Sequence, residues 1–150
     1  MTAEEKLQAI GIPLSHMQWL KETMLVEEPK GYFPKKDMEK QIVPVTKILG
    51  LGLRGEPGFS WWSHLMLEKG TLNRIGDLVK RLGLLGLEEF KSTYMMEEFA
   101  NEINILYYPD LDFYIAGKGS HRTTMAKLTN VEYMIADVTI MEKRKNDWQL

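Results

Sequence analysis

This 150-residue sequence predicts an α+β domain, a small mixed sheet flanked by helices and preceded by a helical extension. Three observations predict it. Hydrophobic content of 44% against 27% charged residues supplies one real core. Apolar residues recur at helical spacing near the N-terminus and again over residues 72–82. Runs rich in β-branched or alternating apolar residues fall at 41–49, 103–116 and 132–141, the signature of strands.

Thr2 is placed to cap a first helix, with Glu5 three residues on completing a capping box and Leu7 and Ile10 on one side. The GIP segment breaks it, and Pro13 and Ser15 start a second helix carrying Met17, Leu20, Met24 and Leu25, ending near Glu28 and Pro29. Residues 1–29 thus read as a helical extension on a domain spanning 30–150. A helix, turn, helix unit suggests DNA readout, but its second helix offers only His16, Gln18 and Lys21 beside Glu22, no basic stripe for phosphates. Packing against the main domain or a second copy of the chain is the simpler reading.

Residues 30–40 are polar and broken by proline, and read as a connector. A strand follows over 41–49, where Pro44 requires a strand start, an edge or a bulge. Residues 54–60, RGEPGFS, form a loop. Trp61 and Trp62 cannot both face one way, so one belongs to the core and the other to a cleft wall or partner surface, unless both simply pack. Leu72, Ile75, Leu78, Val79 and Leu82 predict a helix over 72–82 stopped by Gly83, and a second helix spans 87–100. A hairpin follows, with strands 103–108 and 112–116 about a turn at Pro109–Asp112. A helix over 121–129 and a last strand over 132–141 precede a charged tail in which Trp148 can dock.

Charge and composition bound the function. The 19 Lys and Arg nearly balance 21 Asp and Glu, and a formal charge of -2 gives no global attraction to nucleic acid or anionic membrane. A polyanion site must be local. With no cysteine there is no disulfide, thiolate metal site or cysteine nucleophile, which suits a reducing compartment. MTAEEKLQAI is too charged for a secretory signal and no apolar run reaches spanning length, so the chain reads as cytoplasmic with no membrane partner. His16, His64 and His121 have no partners at ligand spacing, so no metal site is expected from the side chains.

The local candidate is IAGKGSHRTTMA, residues 115–126. A strand delivers the chain to Gly117; Gly117 and Gly119 permit close backbone approach; Ser120 is expected to cap the next helix. Amides without internal partners and the positive end of the helix dipole suit a phosphate there. Lys118, His121 and Arg122 add donors, with Thr123 just behind them. Two readings stay open: a phosphate-binding loop, or a well-capped turn whose basic residues face water.

The order strand, G-x-x-[HR]-R, helix with small Ala126 inside, closing strand resembles the ParB/sulfiredoxin superfamily. FYIAGKGSHRTTMAKLTNVEYMIADVTI is similar to that core along its length, QIVPVTKI to the opening strand, and IGDLVKRLGLL to the next helix and glycine turn. The resemblance covers about residues 41–82 and 103–141. It implies a ParB/sulfiredoxin-like sheet in which His121 and Arg122 contact nucleotide phosphates, with Arg74, Asp77 and Arg81 on the pocket's side. Ser120 stands where sulfiredoxins carry cysteine, which removes sulfinic-acid repair, because a serine hydroxyl is no substitute for a thiolate. The GERR-type sequence of partitioning ParB proteins is not reproduced, so chromosome partitioning is not expected.

Three functions follow. The first is a nucleotide-binding protein, an ATP- or CTP-dependent phosphotransferase or hydrolase using Mg2+, with Glu56 the first candidate carboxylate, Asp77 the second, and His121 a phosphate donor or acid-base group. Arg122→Ala should then weaken nucleotide binding while barely changing stability. The second is a DNA- or RNA-binding or cleaving protein of the nuclease-like or toxin-associated kind, in which Lys118, His121 and Arg122 meet backbone phosphate. The third is a non-catalytic phage or mobile-element interaction module that holds a protein partner or a second copy through the N-terminal helices or Phe59, Trp61 and Trp62.

Overall fold

The computed structural model describes residues 2–52, 54–66 and 75–145. Five strands form one mixed sheet: β1 (Tyr32–Pro44), β2 (Ile48–Leu51), β3 (Asn104–Tyr108), β4 (Phe113–Lys118) and β5 (Tyr133–Lys143). Their order is β1-β5-β3-β4-β2. β5 is parallel to β3 and antiparallel to β1, and β4 is antiparallel to β3 and parallel to β2. The chain is α+β, as the sequence predicted.

The expected connector at 30–40 is instead most of β1, an edge strand. Its charged side chains mislead because an edge faces water and needs no apolar face. Pro34 and Pro44 lie where one side of the ladder is unpaired, and the register slips between Pro34 and Lys36 and again between Met38 and Gln41. Within the second slip Lys40 takes a positive φ of 53° and donates its amide to Asp137 Oδ1. The single strand expected at 41–49 is cut by a 3-10 turn at Val45–Lys47, after which β2 joins the opposite edge. Four chain steps span at most ~14 Å, whereas four flat interstrand spacings need about 19 Å. The sheet is therefore curled.

Helices fill the curl. α1 (Ala3–Ile10) begins with the Thr2–Glu5 capping box that the sequence predicted. α2 (Leu14–Glu22) ends six residues before Glu28, because the chain turns extended to lie along β2: the Leu25 amide donates to the Phe59 carbonyl and the Val26 amide to that of Leu49. Leu7, Ile12, Met17, Leu20 and Leu25 belong to the same core as the strands. α3 (Trp61–Leu65) buries Trp61 completely and leaves Trp62 half-buried beneath Lys21, whose ammonium lies 5.0 Å from the ring. Packing explains both tryptophans.

α4 (Ile75–Leu85) runs through Gly83 and stops before Gly86, which adopts φ 85°. The start expected at residue 72 lies outside the described residues, as does Trp148. The helix expected at 87–100 divides into α5 (Leu87–Ser92) and 3-10 turns at Thr93–Met95 and Glu97–Glu102. Between those turns Met96 is extended, and Thr93 Oγ1 has already turned back to the Phe90 carbonyl. The hairpin forms as predicted. α6 (Ser120–Leu128) is the central helix, with Ser120, Thr123, Thr124 and Lys127 buried beside Met125, Ala126 and Leu128. α2, α3 and α4 all pack on it.

Candidate functional site

β4 reaches Lys118, and Gly119 then turns the chain into α6 at φ 83°. A Cβ there would meet the Glu102 carbonyl oxygen at 2.7 Å and Ile103 Cα at 3.1 Å, so this position needs glycine both for conformation and for space. Gly119, not Ser120, is the N-cap, and no side chain caps it. Ser120 is the first helical residue, buried, with its carbonyl accepting the Thr124 hydroxyl. The expected serine cap is thus replaced by a glycine turn, which leaves the first-turn amides without a side-chain acceptor.

Topology gathers charge at this turn. Because β2 and β4 run parallel, their carboxyl ends emerge together, and the loop after β2 sets Arg54 beside Lys118 and Gly119. β3 runs the other way beside β4, so the residues before it, Asn101 and Glu102, arrive at the same end. α4, packed on α6, contributes Leu78 and Arg81. Together with His121 and Arg122 they line a cleft of about 780 Å³. An adjoining hollow of about 230 Å³ adds Gly117 and Ser120. Among the described residues that line the cleft, Arg54, Arg81, Lys118 and Arg122 against Glu102 sum to a formal charge of +3, in a chain whose total is -2.

Arg122 is the constrained member. Its side chain is 11% exposed, with the guanidinium 4.6 Å from the Tyr94 ring centroid and 6.0 Å from that of Phe99. Nε approaches Glu102 Oε2 only to 3.9 Å, and neither Nε nor Nη2 makes a hydrogen bond. The charge is held by aromatic faces and one distant carboxylate, an incomplete compensation for a desolvated cation. Tyr94 fixes the backbone beneath it by donating its hydroxyl to the Arg122 carbonyl at 2.6 Å. Burial raises the phenol's pKa, against the opposing pull of Arg122 and Arg81, so Tyr94 stays a donor throughout the physiological range.

The loop carrying Arg54 is held by His64, which is fully buried. The Ser60 carbonyl can only accept, so His64 Nδ1 donates to it at 2.8 Å, and Nε2 accepts the Glu56 amide at 2.9 Å. Glu56 thus contributes its backbone here, while its side chain is exposed and does not line the cleft. Asp77, exposed in the first turn of α4, does not line it either. Arg74 lies outside the described residues. Thr123 is buried one turn into α6, its hydroxyl without a hydrogen bond. Sequence reading missed Arg54, Asn101 and Glu102; only the strand pairing brings them in.

Among the described residues no group of three or more His, Cys, Asp or Glu could hold a metal ion. Among them no helix is long and apolar enough to cross a membrane. No protein-family model, curated protein or solved structure matches the chain.

Proposed function

We propose that the protein binds a nucleotide through its phosphates in the cleft at the start of α6. The observation that carries this reading is Arg122: a desolvated guanidinium with two nitrogens lacking hydrogen bonds, beside three further cations and a helix terminus without a side-chain cap. An anion there supplies the missing acceptors, and a phosphate matches the planar fork of arginine. The volume of about 780 Å³ suits a nucleotide. Resemblance of GKGSHR to the phosphate loop of the ParB/sulfiredoxin superfamily supports the same reading.

Among the described residues Glu102 is the carboxylate that lines the cleft. Magnesium would therefore rest on phosphate oxygens and Glu102, the usual manner of magnesium in nucleotide sites. If the ligand is turned over, Glu102 precedes Glu56 and Asp77 as the carboxylate near an acceptor.

Thermal shift and calorimetric titration with ATP, CTP, GTP and UTP, with and without magnesium, test the reading. A rise in melting temperature for the native protein, reduced in an Arg81→Ala/Lys118→Ala variant of unchanged intrinsic stability, is expected. No response to any nucleotide overturns it. Binding of DNA or RNA with a steep salt slope and none of mononucleotides would replace it with the polynucleotide reading.

A further inference from the structure

Lys127 lies at the opposite end of α6, in its last turn, and is only 3% exposed. Its Nζ donates to the Val45 carbonyl at 2.7 Å and stands 5.1 Å from the Trp61 ring and 5.7 Å from the Trp19 ring. Among the described residues no carboxylate forms an ion pair with it. Beside it is a cavity of about 250 Å³, walled by Trp19, Val45 and Val131 and by His16, Asn130 and Lys127 itself. His16 closes the site from α2: its Nε2 donates to the Lys127 carbonyl at 2.6 Å.

We propose that Lys127 is a nucleophilic amine that captures a small aldehyde or ketone of apolar body in this cavity as an imine. An ordinary lysine does so only slowly at neutral pH, because all but a small fraction of its amine is protonated. Burial without a carboxylate penalises the ammonium and pulls Lys127 from its usual 10.5 down to about 7, leaving a substantial fraction as free amine. The indole faces oppose this by favouring the cation, and desolvation outweighs them. Lysines desolvated in apolar pockets are the usual Schiff-base formers. The Nζ lone pair adds to the carbonyl carbon, an Nζ proton passes to the oxygen, and loss of water leaves a carbon–nitrogen double bond. No oxidant or reductant is needed.

The native protein treated with benzaldehyde and sodium cyanoborohydride at neutral pH, followed by peptide mass mapping, tests this. Hydride from the borohydride fixes any imine as a benzylamine. Modification at Lys127 is expected to exceed that at the exposed Lys118 and Lys143 by about tenfold or more. Thr46, exposed yet lining the cavity, controls access: Thr46→Trp should cut Lys127 labelling at least about fivefold and leave the exposed lysines as they were. Labelling that follows exposure, with Lys127 untouched, overturns the proposal. Equal Lys127 labelling in Thr46→Trp overturns the cavity as its route. Neither result bears on nucleotide binding, which is read at the other end of the helix.

Discussion

The two ends of α6 use basic side chains in opposite ways. At the start, the described residues bring four cations, one carboxylate and a helix terminus to a cleft, where charge accumulates because water and an incoming anion can share it. At the end, one lysine is enclosed by two indoles and a carbonyl, where burial works to remove the charge. Arg122 is intermediate: its side chain is nearly enclosed while two guanidinium nitrogens lack hydrogen bonds, so it keeps an unmet demand for acceptors. Basicity in the sequence thus becomes anion attraction or free amine according to solvent access alone.

The largest effect should come from breaking the turn that builds the first end. In Gly119→Ala the new methyl meets backbone at 2.7 Å at a positive φ, and we expect a loss of about 2–4 kcal/mol on chemical denaturation. Gly86→Ala is the control: at φ 85° and ψ 160° nothing lies within 4 Å, so conformational strain of about 1–3 kcal/mol remains without a clash. Equal losses would mean that space at Gly119 is not limiting. Next comes Arg122→Ala, expected to weaken nucleotide binding by about 1.5–3 kcal/mol in calorimetric titration. The sequence alone suggested no stability cost, but stacking on Tyr94 adds a loss of about 1 kcal/mol.

The buried amine of the second end makes a pH prediction. The folded state holds Lys127 deprotonated down to about 7, while the unfolded chain keeps the proton to about 10.5. Between those values the unfolded state binds more protons, so stability rises with pH, by on the order of 1 kcal/mol per unit. Above about pH 10 Tyr94 acts oppositely: its raised pKa makes the folded state the proton-rich one, and stability falls. Urea titrations from about pH 7 to 10 should show the rise, and Lys127→Met should flatten it. A flat native profile would mean the ammonium survives between the indoles.

Legibility followed locality. The strand, glycine turn and helix around 115–128 were readable because neighbouring residues decide them, as were the Thr2–Glu5 cap and the β3–β4 hairpin. β1 was hidden because an edge strand carries the polar composition of a linker. The α2 end was misplaced because Met24 and Leu25 keep helical spacing while bonding sideways to the Phe59–Ser60 segment. A third of the described cleft lining was illegible: Arg54, Asn101 and Glu102 arrive through strand pairing, which no local pattern states. Sequence reading did not single out Lys127, because its burial depends on α2, α3 and the Val45 turn closing around one position.

The smallest effects should separate the members of the cleft. Arg81 and Lys118 are exposed, so Arg81→Ala and Lys118→Ala should each weaken nucleotide binding by about 0.5–1 kcal/mol without changing thermal stability. Their charges act through water, where screening sets in over about 8 Å at physiological ionic strength. Raising salt should therefore shrink both effects. The Arg122→Ala effect should persist, because a guanidinium only 11% exposed binds through close hydrogen bonds in a medium that salt scarcely enters. Equal salt sensitivity in all three variants would mean that Arg122 meets the ligand through solvent as the others do, and that its aromatic cradle is packing rather than preparation for an anion.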